Sequence, residues 1–118
     1  MNKERDIHKR IYNFVIRVIK LTKELPKNPQ NEVIIYQITK SATSMGANDQ
    51  EADGAESKKD FIAKYTIVKK ETKETNYWLN VIDDTNPGLH ERMADLKKEG
   101  NEILLIVSAI VINTKRKI

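Results

Sequence analysis

The sequence predicts an all-α protein, a single domain over residues 1–118 folded as an antiparallel up-down-up-down four-helix bundle. Three observations carry that prediction. Apolar residues recur at steps of three and four in four separate segments. Prolines and capping residues fall between the segments. No stretch shows the strict alternation of a half-buried strand. At 118 residues the chain has the length of one domain, with enough apolar side chains to enclose one core.

The first helix is read from Ile7, Ile11, Phe14, Val18, Leu21 and Leu25, which fall on one stripe, with Pro26 and Pro29 as its stop. The second starts near Asn31 and carries Ile34, Ile38, Ser41, Met45, Asn48 and Ala52, a stripe that turns small and polar toward its end. Gly54 then supplies a left-handed C-terminal turn. In the third helix the stripe is Phe61, Tyr65, Val68, Thr72, Thr75, Leu79 and Ile82, and Ser57 with Asp60 three residues later forms its N-cap. The fourth carries Leu89, Met93, Leu96, Gly100, Ile103, Val107, Ile110 and Thr114, with Asn86 as cap and Pro87 at the first helical position. Short connections make sequence neighbours pack antiparallel.

The acidic corner between helices two and three resembles a calcium loop. With Asp49 at position one, the ligand positions take Glu51, Asp53 and Asp60, and Gly54 sits at position six. Asp60 is a methylene too short for the bidentate position, however, and Asn48 and Ala52 continue the helix through the supposed loop. The segment is read as a helical corner and no metal is assigned. The two histidines, His8 and His90, lack the Glu-x-x-His spacing of di-iron bundles and are read as solvated helix residues. With no cysteine, no G-x-S-x-G elbow and no glycine-rich phosphate loop, the chain reads as non-enzymatic and without a cofactor.

Zero cysteines fit a reducing compartment, the N-terminus lacks the pattern of a signal peptide, and the longest apolar run, Ile103 to Ile112, is too short to span a bilayer. A cytoplasmic protein with no membrane partner is therefore expected.

The polar residues at the core positions form the most unusual feature. Asn48, Thr72 and Thr75 are expected to face the core, with Glu71 and Glu74 beside that stripe. They are read as a hydrogen-bonded seam fixing the register of helices two and three, the alternative being a buried ligand or metal site at Asn48, Glu71 and Glu74.

Charge is unevenly distributed. Residues 1–27 carry eight Lys/Arg and three acids, residues 28–114 ten and fourteen, and the end adds Lys115, Arg116 and Lys117. Bundle topology brings both termini to one end, so Lys3, Arg5, Lys9, Arg10, Lys115, Arg116 and Lys117 are the candidate nucleic-acid contacts, acting on phosphates. On helix three, Glu71 and Glu74 interrupt Lys64, Lys69, Lys70 and Lys73. Leu105 and Ile112 on helix four, with Tyr12, Ile16 and Ile19 on helix one, are apolar away from the core stripes and point to a homo-oligomer.

The stretch QITKSATSMGANDQEADGAESKKDFIAKYTIVKKETKETNYWLNVI, residues 37–82, resembles the 23S rRNA intervening-sequence proteins. The matching residues are Gln37, Ser41, Ala42, Ser44, Gly46, Ala47, Asn48, Glu51, Ser57, Lys58, Lys59, Asp60, Phe61, Ile62, Lys70, Glu71, Glu74, Thr75, Tyr77, Trp78 and Leu79. Where many members have Gly after the central Glu, Ala52 follows Glu51 here. The resemblance implies an antiparallel bundle that assembles as a ring-like homopentamer and brings no catalytic residues with it. A related branch, the accessory variability determinant of diversity-generating retroelements, is a basic pentamer that binds nucleic acid and a reverse transcriptase. RNA or DNA, or alternatively a protein, is thus the expected partner.

Overall fold

The structure, a computed structural model, describes the backbone of residues 3–117 and the side chains from residue 7 onward. Four long helices, α1 (Lys3–Thr22), α2 (Pro29–Asp53), α3 (Lys58–Thr85) and α4 (His90–Arg116), account for nearly all of it, with no strand among the described residues. None of the helices is long and apolar enough to cross a membrane. Each helix packs its backbone closely on two neighbours, α1 on α2 and α4, and α3 on α2 and α4, while the backbones of the diagonal pairs stay farther apart among the described residues. The result is a square bundle, 47 × 26 × 19 Å.

Side-chain pairings show the directions. Ser41 meets Thr75 and Asp49 meets Tyr65, so α2 and α3 run antiparallel. Asn76 reaches Gly100 and Asp83 reaches Lys97, which does the same for α3 and α4. Arg10 to Glu99 and Arg17 to Asp95 close α1 on α4. The order is up-down-up-down, as the stripes predict.

All six residues of the first stripe are buried, together with Ile38, Met45, Val68, Leu79, Ile82, Met93, Ile103 and Val107. Each large apolar side chain removed from water contributes roughly 1.5–3 kcal/mol before conformational entropy is charged against it.

The helix ends depart from the sequence reading in three places. Pro29 does not stop a helix but opens α2, with Asn28 as N-cap accepting from Asn31 N at 2.7 Å; a proline suits the first turn, where its missing N–H has no intrahelical partner. Gly54 has φ −98°, so the corner is not left-handed and places no conformational demand for glycine. Asn86 caps the preceding helix, its Nδ2 donating to Ile82 O at 2.9 Å. Residues Pro87–Leu89 then form one 3-10 turn, and α4 begins at His90 with no side-chain cap. The cap at Ser57 is as expected, its hydroxyl accepting from Asp60 N at 3.0 Å.

Candidate functional site

Two polar clusters tie the helices together, one near each end of the bundle. At the first, Asp49 is 1% exposed, and its Oδ1 lies 2.7 Å from His8 Nδ1 and 2.5 Å from the Tyr65 hydroxyl. Three helices are joined through one carboxylate oxygen. His8 Nε2 also stands 4.0 Å from Asp53 Oδ1. His8 is therefore not simply a solvated residue. Its side chain is 25% exposed and it is the link by which α1 reaches the end of α2.

At the other end, Asp83 is buried at the α3/α4 contact, where Lys97 Nζ at 2.7 Å and His90 Nδ1 at 2.8 Å meet its two oxygens. The Lys97 ammonium, followed by His90, holds this carboxyl below its usual range. His90 itself is largely exposed. A buried carboxylate needs partners; Asp83 has one at each oxygen, whereas Asp49 has both at Oδ1 and none at its buried Oδ2.

Between the ends lies the small-residue seam of α2 and α3. Ser41 Oγ and Thr75 Oγ1 are 2.8 Å apart, and Thr72 donates to Val68 O at 2.7 Å with its hydroxyl 3.7 Å from Met45 Sδ. Both threonines are fully buried. Asn48 is half-buried instead, and its amide donates to Ser44 O at 2.9 Å within its own helix. The residue turned inward at that level is its neighbour Asp49, which follows Ile38, Ala42 and Met45 at helical spacing. Glu74 is exposed. Glu71 is half-buried, and burial followed by the nearby Glu74 charge raises its carboxyl above the usual range. No group of three or more His, Asp or Glu able to hold a metal ion occurs among the described residues.

The expected basic end contains fewer unpaired cations than the sequence suggests. The side chains of Lys3 and Arg5 lie outside the described residues. Arg10 donates to Glu99 at 2.6 Å and to Glu102 at 3.1 Å, and these bonds raise its already high pKa. Lys9, Lys115, Arg116 and Lys117 are exposed, and Lys58 Nζ donates to Lys117 O at 3.5 Å, which brings the α2–α3 corner beside the end of α4.

Sequence reasoning missed the Asp49 and Asp83 clusters, although one signal was present. Asp49 shares the helical face of Ile38, Ala42 and Met45, and Asp83 directly follows the core residue Ile82. An acid on an apolar stripe signals a partnered carboxylate, whereas the identity of that partner depends on which helices meet.

Comparison with known proteins agrees with the bundle. Residues 3–109 match the family described as 23S rRNA-intervening sequence protein. A crystal structure of a protein with unknown function from the S23 ribosomal protein family of Bacteroides thetaiotaomicron VPI-5482 is 33% identical and superposes with a TM-score of 0.83. That match covers 93% of this chain and 98% of the other. No curated protein matches the chain. On the extent of the family match and the agreement in fold, the chain belongs to the 23S rRNA-intervening sequence protein family.

Proposed function

We propose that the chain is a non-catalytic, homo-oligomeric interaction module of the cytoplasm, serving as an accessory protein that holds nucleic acid through backbone phosphates. The observation carrying this reading is the outer surface of α1 and α2. Tyr12 is 62% exposed, and Tyr36, with a relative exposure of 63%, and Val33 are also open to solvent on α2. Tyr12 lines the α1/α2 groove with Thr43, and Tyr36 lies two helical turns before Thr43. Large apolar side chains gathered on one side of a small domain favour a second copy as cover. The resemblance to ring-forming relatives favours a pentamer.

Light scattering coupled to size exclusion tests self-association. The expected species is several times the 13.6 kDa chain mass. Tyr12→Glu with Tyr36→Glu should reduce it to a monomer with unchanged helical circular dichroism. A monomeric wild type at micromolar concentration would sink the oligomeric reading. A protein-only scaffold is the second reading, favoured by assembly without nucleic-acid affinity at low salt. A ligand site at Asn48, Glu71 and Glu74 has less support, since the Asn48 amide is engaged within α2 and Glu74 faces solvent.

A further inference from the structure

The outward sides of α2 and α4 differ from those of the other two helices. On α2, opposite the buried Ile38, Met45 and Ala52, the exposed residues Val33, Tyr36, Lys40, Thr43, Ala47 and Gln50 recur at steps of three and four. On α4, opposite the buried Ile103 and Val107, the exposed stripe is Lys98, Asn101, Leu105, Ala109, Ile112 and Arg116. Apolar and small side chains thus continue along both tracks with few charges between them. By contrast, Lys9, Arg17 and Lys20 are exposed on α1, and Lys59, Lys70, Lys73 and Glu74 on α3, where the exposed Ile67 and Tyr77 are kept apart by three of those charges.

The two stripes also match in height. Both α2 and α4 run antiparallel to α3 and are therefore parallel to each other. Ser41 meets Thr75, and the adjacent Asn76 meets Gly100, so Ser41 stands level with Gly100 and Asn101. Leu105 lies four residues beyond Asn101, as Met45 lies four beyond Ser41, which puts Leu105 level with the exposed Thr43 and Ala47. Those two residues, with Gly46, Tyr12 and Val15, line an apolar groove of about 250 Å³ between α1 and α2. Leu105, at 72%, is the most exposed large apolar side chain among the described residues. A projection and a concavity therefore share one height on different sides of the bundle. At the end of the bundle Lys58 reaches Lys117 O, so the exposed Asp53 and Glu56 of the corner stand level with Arg116. Lys40 and Lys98 bring like charges within a turn of each other, where the half-exposed Glu102 adds the opposite sign.

We propose that these two faces bind each other between copies of the chain, α4 of one copy lying parallel to α2 of the next with Leu105 seated in the α1/α2 groove. The proposal rests on the self-association reading above and names its surfaces and its head-to-tail symmetry. A twofold contact of α2 on α2, or of α4 on α4, covers one stripe and leaves the other in water. The α2-to-α4 contact uses both stripes and sets a large side chain against small ones, as in knobs-into-holes packing. It also brings the acidic corner of one copy to the basic end of α4 in the next.

Size exclusion with light scattering tests the pairing through Ala47→Glu on α2 and Leu105→Glu on α4, both exposed positions, with circular dichroism and thermal melting checking that each variant is folded. Each variant alone should run near the 13.6 kDa chain mass, because every contact needs both faces. Each also keeps one intact face, so an equimolar mixture should give a species of about twice that mass. Tyr77→Glu, on α3, should leave the wild-type mass unchanged. A wild-type mass for either Ala47→Glu or Leu105→Glu would mean a contact that does not join these faces, and would overturn the proposal. Dimers of each variant alone would mean two separate twofold contacts and overturn it equally, as would a mixture that stays monomeric. In all three cases self-association itself would stand. A monomeric wild type at micromolar concentration would remove this proposal and the self-association reading together.

Discussion

Gly100 offers the sharpest test of how closely three of the helices meet. A Cβ built at this position would overlap Asn76 Oδ1 and stand 3.0 Å from Phe14 Cζ and 3.1 Å from Phe14 Cε1. Phe14 is fully buried and has no free direction, whereas Asn76 is half-buried and can swing away only by giving up its bond to Gly100 O. Gly100→Ala gains roughly 1 kcal/mol of helix propensity in the middle of α4. Against this stand about 1 kcal/mol for the lost hydrogen bond and about 1–3 kcal/mol for overpacking against Phe14. The expected net effect is a destabilisation of about 1–3 kcal/mol, a fall in Tm of roughly 4–12 °C for a domain of this size. Urea unfolding followed by circular dichroism measures it directly. Adding Asn76→Ala should recover part of the loss, because the overlap with the amide disappears while the Phe14 contact stays. A Gly100→Ala variant as stable as wild type, or more so, would refute the close approach of α1, α3 and α4, since propensity alone would then have decided the outcome.

The remaining predictions concern the polar clusters. Asp83 has a depressed carboxyl, so its pairing stabilises the fold above the unfolded carboxyl range and is lost as pH falls through the folded value. Lys97→Met should therefore destabilise the protein at pH 7, with a penalty that shrinks toward pH 3; a pH-independent penalty in urea melts would contradict the pairing. Glu71 has the opposite sign. Its raised carboxyl means that ionisation costs stability as pH rises above the unfolded carboxyl range. Glu71→Gln should then be modestly stabilising at pH 7, by less than about 1 kcal/mol, and neutral near pH 3.5. Equal effects at both pH values would count against a desolvated carboxyl. Thr75→Val removes the buried contact with Ser41 and should cost about 1–2 kcal/mol. Combining it with Ser41→Ala should cost less than the two single effects added together, and strict additivity would mean that the hydroxyls do not interact.

The bundle was legible because helix period, caps and loop length are local properties. Ile7, Ile11, Phe14, Val18 and Leu21 lie on one stripe whatever the stripe meets, and all are buried. The boundaries were less legible. Pro29 and Asn86 are each compatible with ending one helix or beginning the next, and the choice was settled by which backbone groups needed partners: Asn28 and Asn31 at the start of α2, Ile82 O at the end of α3.

Within the polar seam the reading was off by one residue. Asn48 and Asp49 are adjacent, about 100° apart around the helix, and the alternating steps of three and four admit either at the core position. The tertiary contacts chose Asp49, where His8 and Tyr65 both meet one oxygen of its carboxylate. The same limit applies to the charges. Sequence order placed Arg10 among the candidate phosphate contacts and Glu71 among the lysines, while packing against α4 pairs Arg10 with Glu99 and helix rotation turns Glu71 toward α2.

The sequence by itself determined the helices, their number, their antiparallel order and most of the core, since each follows from the spacing of apolar residues along one chain. Only the tertiary structure decided which charges are neutralised and which remain open, because neutralisation depends on residues up to 92 positions apart, such as Arg10 and Glu102. Spacing along the chain carries no information about those distances until the helices pack.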